Sequence, residues 1–522
     1  MPKSAADRTF QIGQMFDNAA RHNGSVPVVL DQPLQFVPER GTEWTVASMA
    51  ELVAQTSAQL WAAGVRPSER VAIYKTNNFD IGVLACAVAR IGAVPALLSP
   101  ALKPGIVAEL LVRMDKPWLL IDSDKIDAAF DGTAPTESVH QVLLTAGRPV
   151  EGTTPLSSFG NPQPRPAVVL DPRQPSLITH SSGTTGIPKL AVHCAETLNN
   201  RYVPQKIMAW PIRRKEAAAL CMTFVHSRFY NALRVFLDYG NPLIIAADHD
   251  PEHIAPLFVR MRPGFAETHP NTYIEWEQLV DAEHHPLSSV RVFGTTFDAM
   301  HPRTMIALLG ASRRRSPLFW QLYGQSETGP VCFRWFTRRG LAKGDARCVG
   351  IPVPWFVKVR VADEDGNRLK RGQVGRIEAR LRARALTYLG EEQRYGDVLK
   401  DNWWQMGDMG FRGRWGEVYL LDREVDQIES MPSNLEAEDV LMTRLHELRE
   451  VAIIAGRSGE PVPVVCTKGE RPLDLQRWRN AVADLPLMAD PVQMAFDDVP
   501  RTSTWKVQRP ELVRLLHNTN TH

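Results

Sequence analysis

Residues 176–193 read SLITHSSGTTGIPKLAVH. A strand-like apolar run ends in a cluster of hydroxyls and glycines, and one lysine follows. Gly183 and Gly186 can take backbone angles closed to other residues, so the turn can aim several N–H groups into one concavity. Ser181, Ser182, Thr184 and Thr185 add hydroxyl donors, and Lys189 adds a mobile positive charge. A loop of this kind after a strand suits a polyphosphate. It is not the Walker loop, because Pro188 stands where that loop has glycine and no Ser or Thr follows Lys189.

Outward from this loop, helix-spaced and strand-like runs alternate. TVASMAELVAQTSAQLWAAGV carries a helical period, with Thr45 as candidate N-cap and Gly64 near its end. RVAIYKT, AVPALL, PLIIAA and SVRVFGTT are short apolar strands separated by helical stretches, which predicts βα units and a mainly parallel sheet. Between about 349 and 421 the texture changes. VKVRVADEDGNRL and GQVGRIEARL are β-rich with turn signals, which predicts an antiparallel, barrel-like subdomain. Helices and short strands resume after GEVYLLDREVDQIES. The expected fold is α/β: an N-terminal core over 1–421 of two parallel βα subdomains plus the β-rich unit, a hinge at 422–429, and a small mobile α+β domain over 430–522.

With 60 Lys and Arg against 58 Asp and Glu, the charge is too balanced to suggest nucleic acid as a partner. The most apolar segment, IGVLACAVARIGAVPALLSPAL, is broken by Arg90, Pro95 and Pro100, which suits a buried helix and strand rather than a membrane span. The six cysteines are scattered without metal-like spacing and read as reduced, packed thiols of a cytoplasmic protein. His249 and His253 have helical spacing, but Pro251 lies between them and no catalytic glutamate pattern accompanies them.

SSGTTGIPK resembles the phosphate-binding signature of the adenylate-forming superfamily, which includes acyl- and aryl-CoA synthetases. Four more motifs of that family have counterparts downstream, in order: QLYGQSETGP, WWQMGDMG, LLDREVDQIE and PRTSTWKVQRPEL. The resemblance implies that a carboxylate attacks the α-phosphate of ATP, pyrophosphate leaves, and the acyl-adenylate passes to a thiol, coenzyme A first among them. A carrier-protein thiol, an amine or an internal hydroxyl are the other acceptors, and a nucleotide-binding protein without catalysis is the reading from another class. The acid is read as hydrophobic or aromatic, and a homodimer is left open.

The same resemblance assigns roles. Two anions at 4 Å repel by about 4 kcal/mol at an effective dielectric near 20, and Lys506 would stand between substrate and α-phosphate. Glu327, with Thr184, would hold Mg²⁺. Tyr323 would stack on adenine, Asp408 would accept from the ribose hydroxyls, and Arg423 would reach the ribose or phosphate. Gly294, Thr295, Thr296, Gln321, Leu322, Gly324, Ser326 and Asn434 complete the nucleotide set. His226 would sit beside the substrate carboxylate, with Phe229, Gly294 and Leu322 lining the pocket, and Val425 would be the hinge pivot. Three positions depart from the pattern: Met406 replaces Thr, Trp505 replaces Gly, and residues 427–434, QIESMPSN, lack the lysine and glycine that relatives use along the coenzyme A tunnel.

Overall fold

The computed structural model describes residues 9–181, 187–212, 215–296, 298, 300–341, 347–502 and 506–519. The expected helix forms at Val46–Ala63, where Thr45 accepts from the Ser48 amide in a capping box and Gly64 closes the helix at φ +112°. The apolar segment after it becomes the fully buried helix Asp80–Arg90 and the strand Val94–Leu97. That strand joins a sheet in which Val94–Leu97, Arg70–Tyr74, Trp118–Asp122 and Gln141–Ala146 run parallel. Its hairpin Pro175–His180 and Leu190–Cys194 is antiparallel, and the opening loop of the sequence is the connection between these two strands.

A second sheet changes character along its width. Strands Pro27–Leu30, Leu243–Ile245, Ala218–Cys221, Phe265–Thr268, Val292–Thr295 and Leu318–Gln325 are parallel neighbours. From Gly329–Phe336 onward the pairing is antiparallel, through Cys348–Pro352, Val418–Arg423, Trp403–Arg412, Gly375–Leu381 and Val357–Ala362. Continuous apolar runs such as Ala218–Cys221 are buried on both faces, as parallel strands covered by helices require. This is the α/β architecture expected from the alternation, with the β-rich texture after 349 appearing as the antiparallel half.

Beyond Arg423 a short turn, Glu424–Asp426, leads to the helix Asn434–Arg444 and a separate three-stranded sheet of Leu448–Ala455, Pro461–Thr467 and Val492–Gln493. This C-terminal unit has its own apolar core around Leu441, Ile453, Val465 and Trp478. It is tied to the larger body by polar contacts: His301 to Asp439 at 2.7 Å, Arg303 to the Met442 carbonyl at 2.9 Å, Arg347 to Glu436 at 2.7 Å and Lys468 to Glu277 at 3.1 Å. All six cysteines are buried and unbridged. Among the described residues no helix is long and apolar enough to cross a membrane.

Candidate active site

A cavity of about 500 Å³ opens at the carboxyl ends of the parallel strands, between the large body and the C-terminal unit. Open α/β sheets bind ligands at this edge, because the loops leaving the strands converge there. Lys189, His226, Thr296, Gln321, Leu322, Tyr323, Gly324, Ser326, Glu327, Asp408, Arg423, Val425 and Lys506 all line it. Residues as far apart in sequence as Lys189 and Lys506 thus share one chamber.

Two helices supply its inner wall. On Ala195–Met208, Arg201 and Gln205 are one turn apart and so share a face. Arg201 is fully buried, and its guanidinium donates to the Ser326 and Glu327 carbonyls, the Ala383 carbonyl and the Ser227 hydroxyl, at 2.7–3.1 Å. Burial lowers its pKa to about 10, so it stays charged at neutral pH, and its donors fix the backbone carrying Ser326 and Glu327. The Glu327 carboxylate is only 6% exposed and accepts from the Tyr388 hydroxyl at 2.6 Å. Gly324 meets the same loop: a Cβ there would lie 2.0 Å from the Gly329 carbonyl oxygen.

Tyr323 donates to Asp408 at 2.6 Å, and Asp408 faces Arg423 across the antiparallel pair, 3.6 Å away. Burial raises the Asp408 pKa, while Arg423 and the Tyr323 hydroxyl oppose that rise. His226 precedes the helix Ser227–Tyr239 and meets the Ser326 hydroxyl at 3.1 Å. Its pKa falls to about 3, first through burial and then through the charges of His180, Arg201 and Lys506, so its ring is neutral at physiological pH. Ser181 and Lys189 close the opening loop by a reciprocal pair, Ser181 N–H to the Lys189 carbonyl at 2.9 Å and Lys189 N–H to the Ser181 hydroxyl at 3.0 Å. The Lys189 ammonium sits 5.1 Å from the Tyr388 ring centre, and burial lowers its pKa. Lys506 comes from the C-terminal unit, with its ammonium 3.7 Å from Asp298.

Several expected residues fall elsewhere. Ser182, Gly183, Thr184, Thr185, Gly186 and Trp505 lie outside the described residues. Phe229 is not a wall of the cavity: it is buried in the core, with Phe79, Phe224 and Tyr230 rings at 5.9, 5.0 and 5.4 Å. Gly294 is held inside its strand, its carbonyl accepting from Tyr273, where an added Cβ would press on the Phe265 ring at 3.1 Å. Thr295 is buried and donates to the Thr268 carbonyl. Asn434 belongs to the domain joint. Its amide N–H meets Asp422 at 2.9 Å and its side chain donates to the Asp426 carbonyl at 2.7 Å. Arg201, Gln205, Asn231 and Tyr388 line the cavity without having been singled out in the sequence.

The family model for AMP-binding enzymes matches residues 16–389. A 3-amino-2-hydroxy-4-methoxybenzoate diazotase of Streptomyces cremeus is 57% identical over 97% of this chain and 96% of its own length. A 3-aminoavenalumate diazotase of a Streptomyces species is 25% identical over 79% of this chain and 75% of its own. Among solved structures, an anthranilate CoA ligase in complex with anthranoyl-AMP superposes with a TM-score of 0.82 at 17% identity, covering 98% of each chain.

Proposed function

The chain belongs to the AMP-binding enzyme family, and on that premise we propose that it is an ATP-dependent diazotase acting on an aromatic amine. The observation that carries this reading is its end-to-end likeness to an enzyme named a diazotase. A diazonium needs a second nitrogen at the oxidation level of nitrite, and nitrite, like a carboxylate, is an oxyanion that ATP can activate. A nitrite oxygen attacks the α-phosphate and pyrophosphate leaves. The amine nitrogen attacks the activated nitrogen, the N–O bond to phosphate breaks and AMP departs. Proton loss from the amine, tautomerisation and expulsion of hydroxide then give the aryl diazonium, the proton and hydroxide leaving as water.

The cavity supports each part of this chemistry. Lys506 supplies positive charge where two anions meet. To neutral His226, hydrogen-bonded to Ser326, we assign the proton that the amine nitrogen sheds once the N–N bond has formed and made it acidic. The Tyr323–Asp408–Arg423 cluster suits a nucleoside, with ribose hydroxyls replacing the Tyr323 hydroxyl on Asp408. Mg²⁺ bound through one carboxylate and the nucleotide phosphates asks little of the protein. Glu327 fits as that carboxylate, and the ion would neutralise charge on the departing pyrophosphate. Among the described residues no cluster of three His, Cys, Asp or Glu is built to hold an ion alone.

Coenzyme A as acceptor, the family's common case, finds less support. Ile428 and Met431 of the loop after the hinge pack into the C-terminal core, and Glu429 stands exposed where a lysine would attract phosphates. The test uses purified protein with ATP, ¹⁵N-nitrite and an aminohydroxybenzoate, trapping the product with a phenolic coupler for mass spectrometry. The expected outcome is a labelled azo adduct with one AMP per turnover. A thioester formed with coenzyme A, and no adduct, would restore the thiol reading.

A further inference from the structure

The inner wall of the cavity holds buried polar atoms that no partner among the described residues satisfies. Gln205 accepts through Oε1 from Arg228, which fixes its amide orientation and leaves Nε2 without a partner. Asn231 donates through Nδ2 to the Ser227 carbonyl at 2.8 Å, which leaves Oδ1 without one. Gln321 Oε1 and the Thr296 hydroxyl are two more such atoms. All four side chains line the cavity, and the three amides are no more than 5% exposed. An unmet buried donor or acceptor is destabilising, so several around one cavity make an unfavourable arrangement for an empty or fatty pocket.

Arg228 does not by itself call for an anionic ligand. Its guanidinium is already paired with the buried Glu267, Nε to Oε1 at 2.6 Å and Nη2 to Oε2 at 2.5 Å. That pair adds no net charge, so the side chains beside it read hydrogen bonds. Two of the wall's atoms are fixed by the bond at the other end of the same amide, the acceptor Asn231 Oδ1 and the donor Gln205 Nε2, and the Gln321 amide and the Thr296 hydroxyl stand with them. A neutral arylamine has two N–H donors, and its nitrogen lone pair stays free when both are engaged. A ring oxygen beside the amine supplies the acceptor that Gln205 lacks.

We propose that Asn231, Gln321 and Gln205 are the specificity-determining residues that select a ring carrying an amino group next to an oxygen substituent. This rests on the arylamine reading of the same site and extends it to recognition. Asn231 and Gln321 take the two N–H groups, which holds the amine neutral and turns its lone pair toward the activated nitrogen. Gln205 donates to the neighbouring hydroxyl or alkoxy oxygen. A fatty or unsubstituted aromatic acid would leave all three buried atoms unmet, and sites built to hydrogen-bond a group reject analogues lacking it strongly.

The test is direct binding by calorimetry, with no turnover, so it stands whether or not a diazonium forms. The probes are 3-amino-2-hydroxybenzoate, 2-hydroxybenzoate and 3-aminobenzoate, each measured against the wild-type protein, Asn231→Leu, Asn231→Asp and Gln205→Leu. Wild type is expected to lose at least about tenfold in Kd when the amine or the hydroxyl is removed from the ligand. Asn231→Leu should weaken the amine discrimination, Gln321 keeping one of its two bonds, while leaving the hydroxyl discrimination, and Gln205→Leu should remove the hydroxyl discrimination while leaving that for the amine. Asn231→Asp keeps an acceptor oxygen and should restore the amine preference, which a general folding defect cannot do. Equal Kd for all three probes in wild type, or amine discrimination undiminished in Asn231→Leu, would overturn the assignment. Labelled azo product with no such discrimination would keep the diazotase reading and remove this one.

Discussion

Lys506 lies outside both sheets that build the cavity, yet it completes the site. Its ammonium is carried by a loop whose base is held by the Thr502 amide on the Lys506 carbonyl at 2.8 Å and the Lys506 amide on the Thr502 hydroxyl at 3.1 Å. Replacing it by alanine leaves core packing untouched, because the side chain lines the cavity. Lys506→Ala is expected to slow ATP-dependent pyrophosphate release by about 10²–10³ with an unchanged circular dichroism spectrum. A rate within a few-fold of wild type would remove the lysine from the mechanism. The residue was legible because a charged group flanked by Pro500, Arg501, Val507 and Arg509 sits in a recognisable pattern. Arg201 was not: in AETLNNRYVPQKIM an arginine reads as a solvent-facing side chain, and only packing makes it the buried strut of the Ser326–Glu327 backbone.

At the scale of elements, the joint after the strand Val418–Arg423 shows how a single carboxylate couples two units. Asp422 receives the Asn434 and Leu435 amides at the N-terminus of the helix Asn434–Arg444, at 2.9 and 3.3 Å. Burial nonetheless pushes its pKa up to about 7, with the neighbouring Glu438 adding to the rise. A raised folded-state value means that the stability it contributes is complete below about pH 4 and is lost as pH rises through 7. Asp422→Asn stays uncharged across that window. The wild-type protein should therefore lose stability relative to this variant between pH 4 and 7, by on the order of 1.4 kcal/mol per pH unit, and run parallel to it above pH 7. Parallel melting curves of the two proteins at every pH would contradict this. The strands and the helix here were readable from apolar periodicity, whereas the place of Asn434 was not. Its role as a joint residue depends on Asp422 folding back onto the helix end, a contact between two elements that no local pattern encodes.

Across the whole molecule, five histidines, at 180, 193, 226, 249 and 269, are buried with pKa values depressed by burial, to about 3 for His226 and about 4 for His249. Each stays neutral when folded and takes up a proton on unfolding below about pH 6.5, so the stability they contribute is present above 6.5 and is lost as pH falls. His301, raised by its bond to Asp439, runs the other way, as does Asp422. Five groups outweigh two, so denaturant titrations are expected to show stability falling by several kcal/mol from pH 6.5 to 5. A flat profile over that range would mean that these imidazoles are not sealed from solvent. The sequence by itself determined the parallel and antiparallel halves, the order of the signature loops and the chemistry of ATP activation, because periodicity and short motifs are local properties of the chain. Only the tertiary structure decided that Phe229 is core and that Gln205 and Asn231 are an unsatisfied polar wall. Burial of a polar side chain is set by what packs opposite it. Here that partner lies on another helix, about 25 residues away.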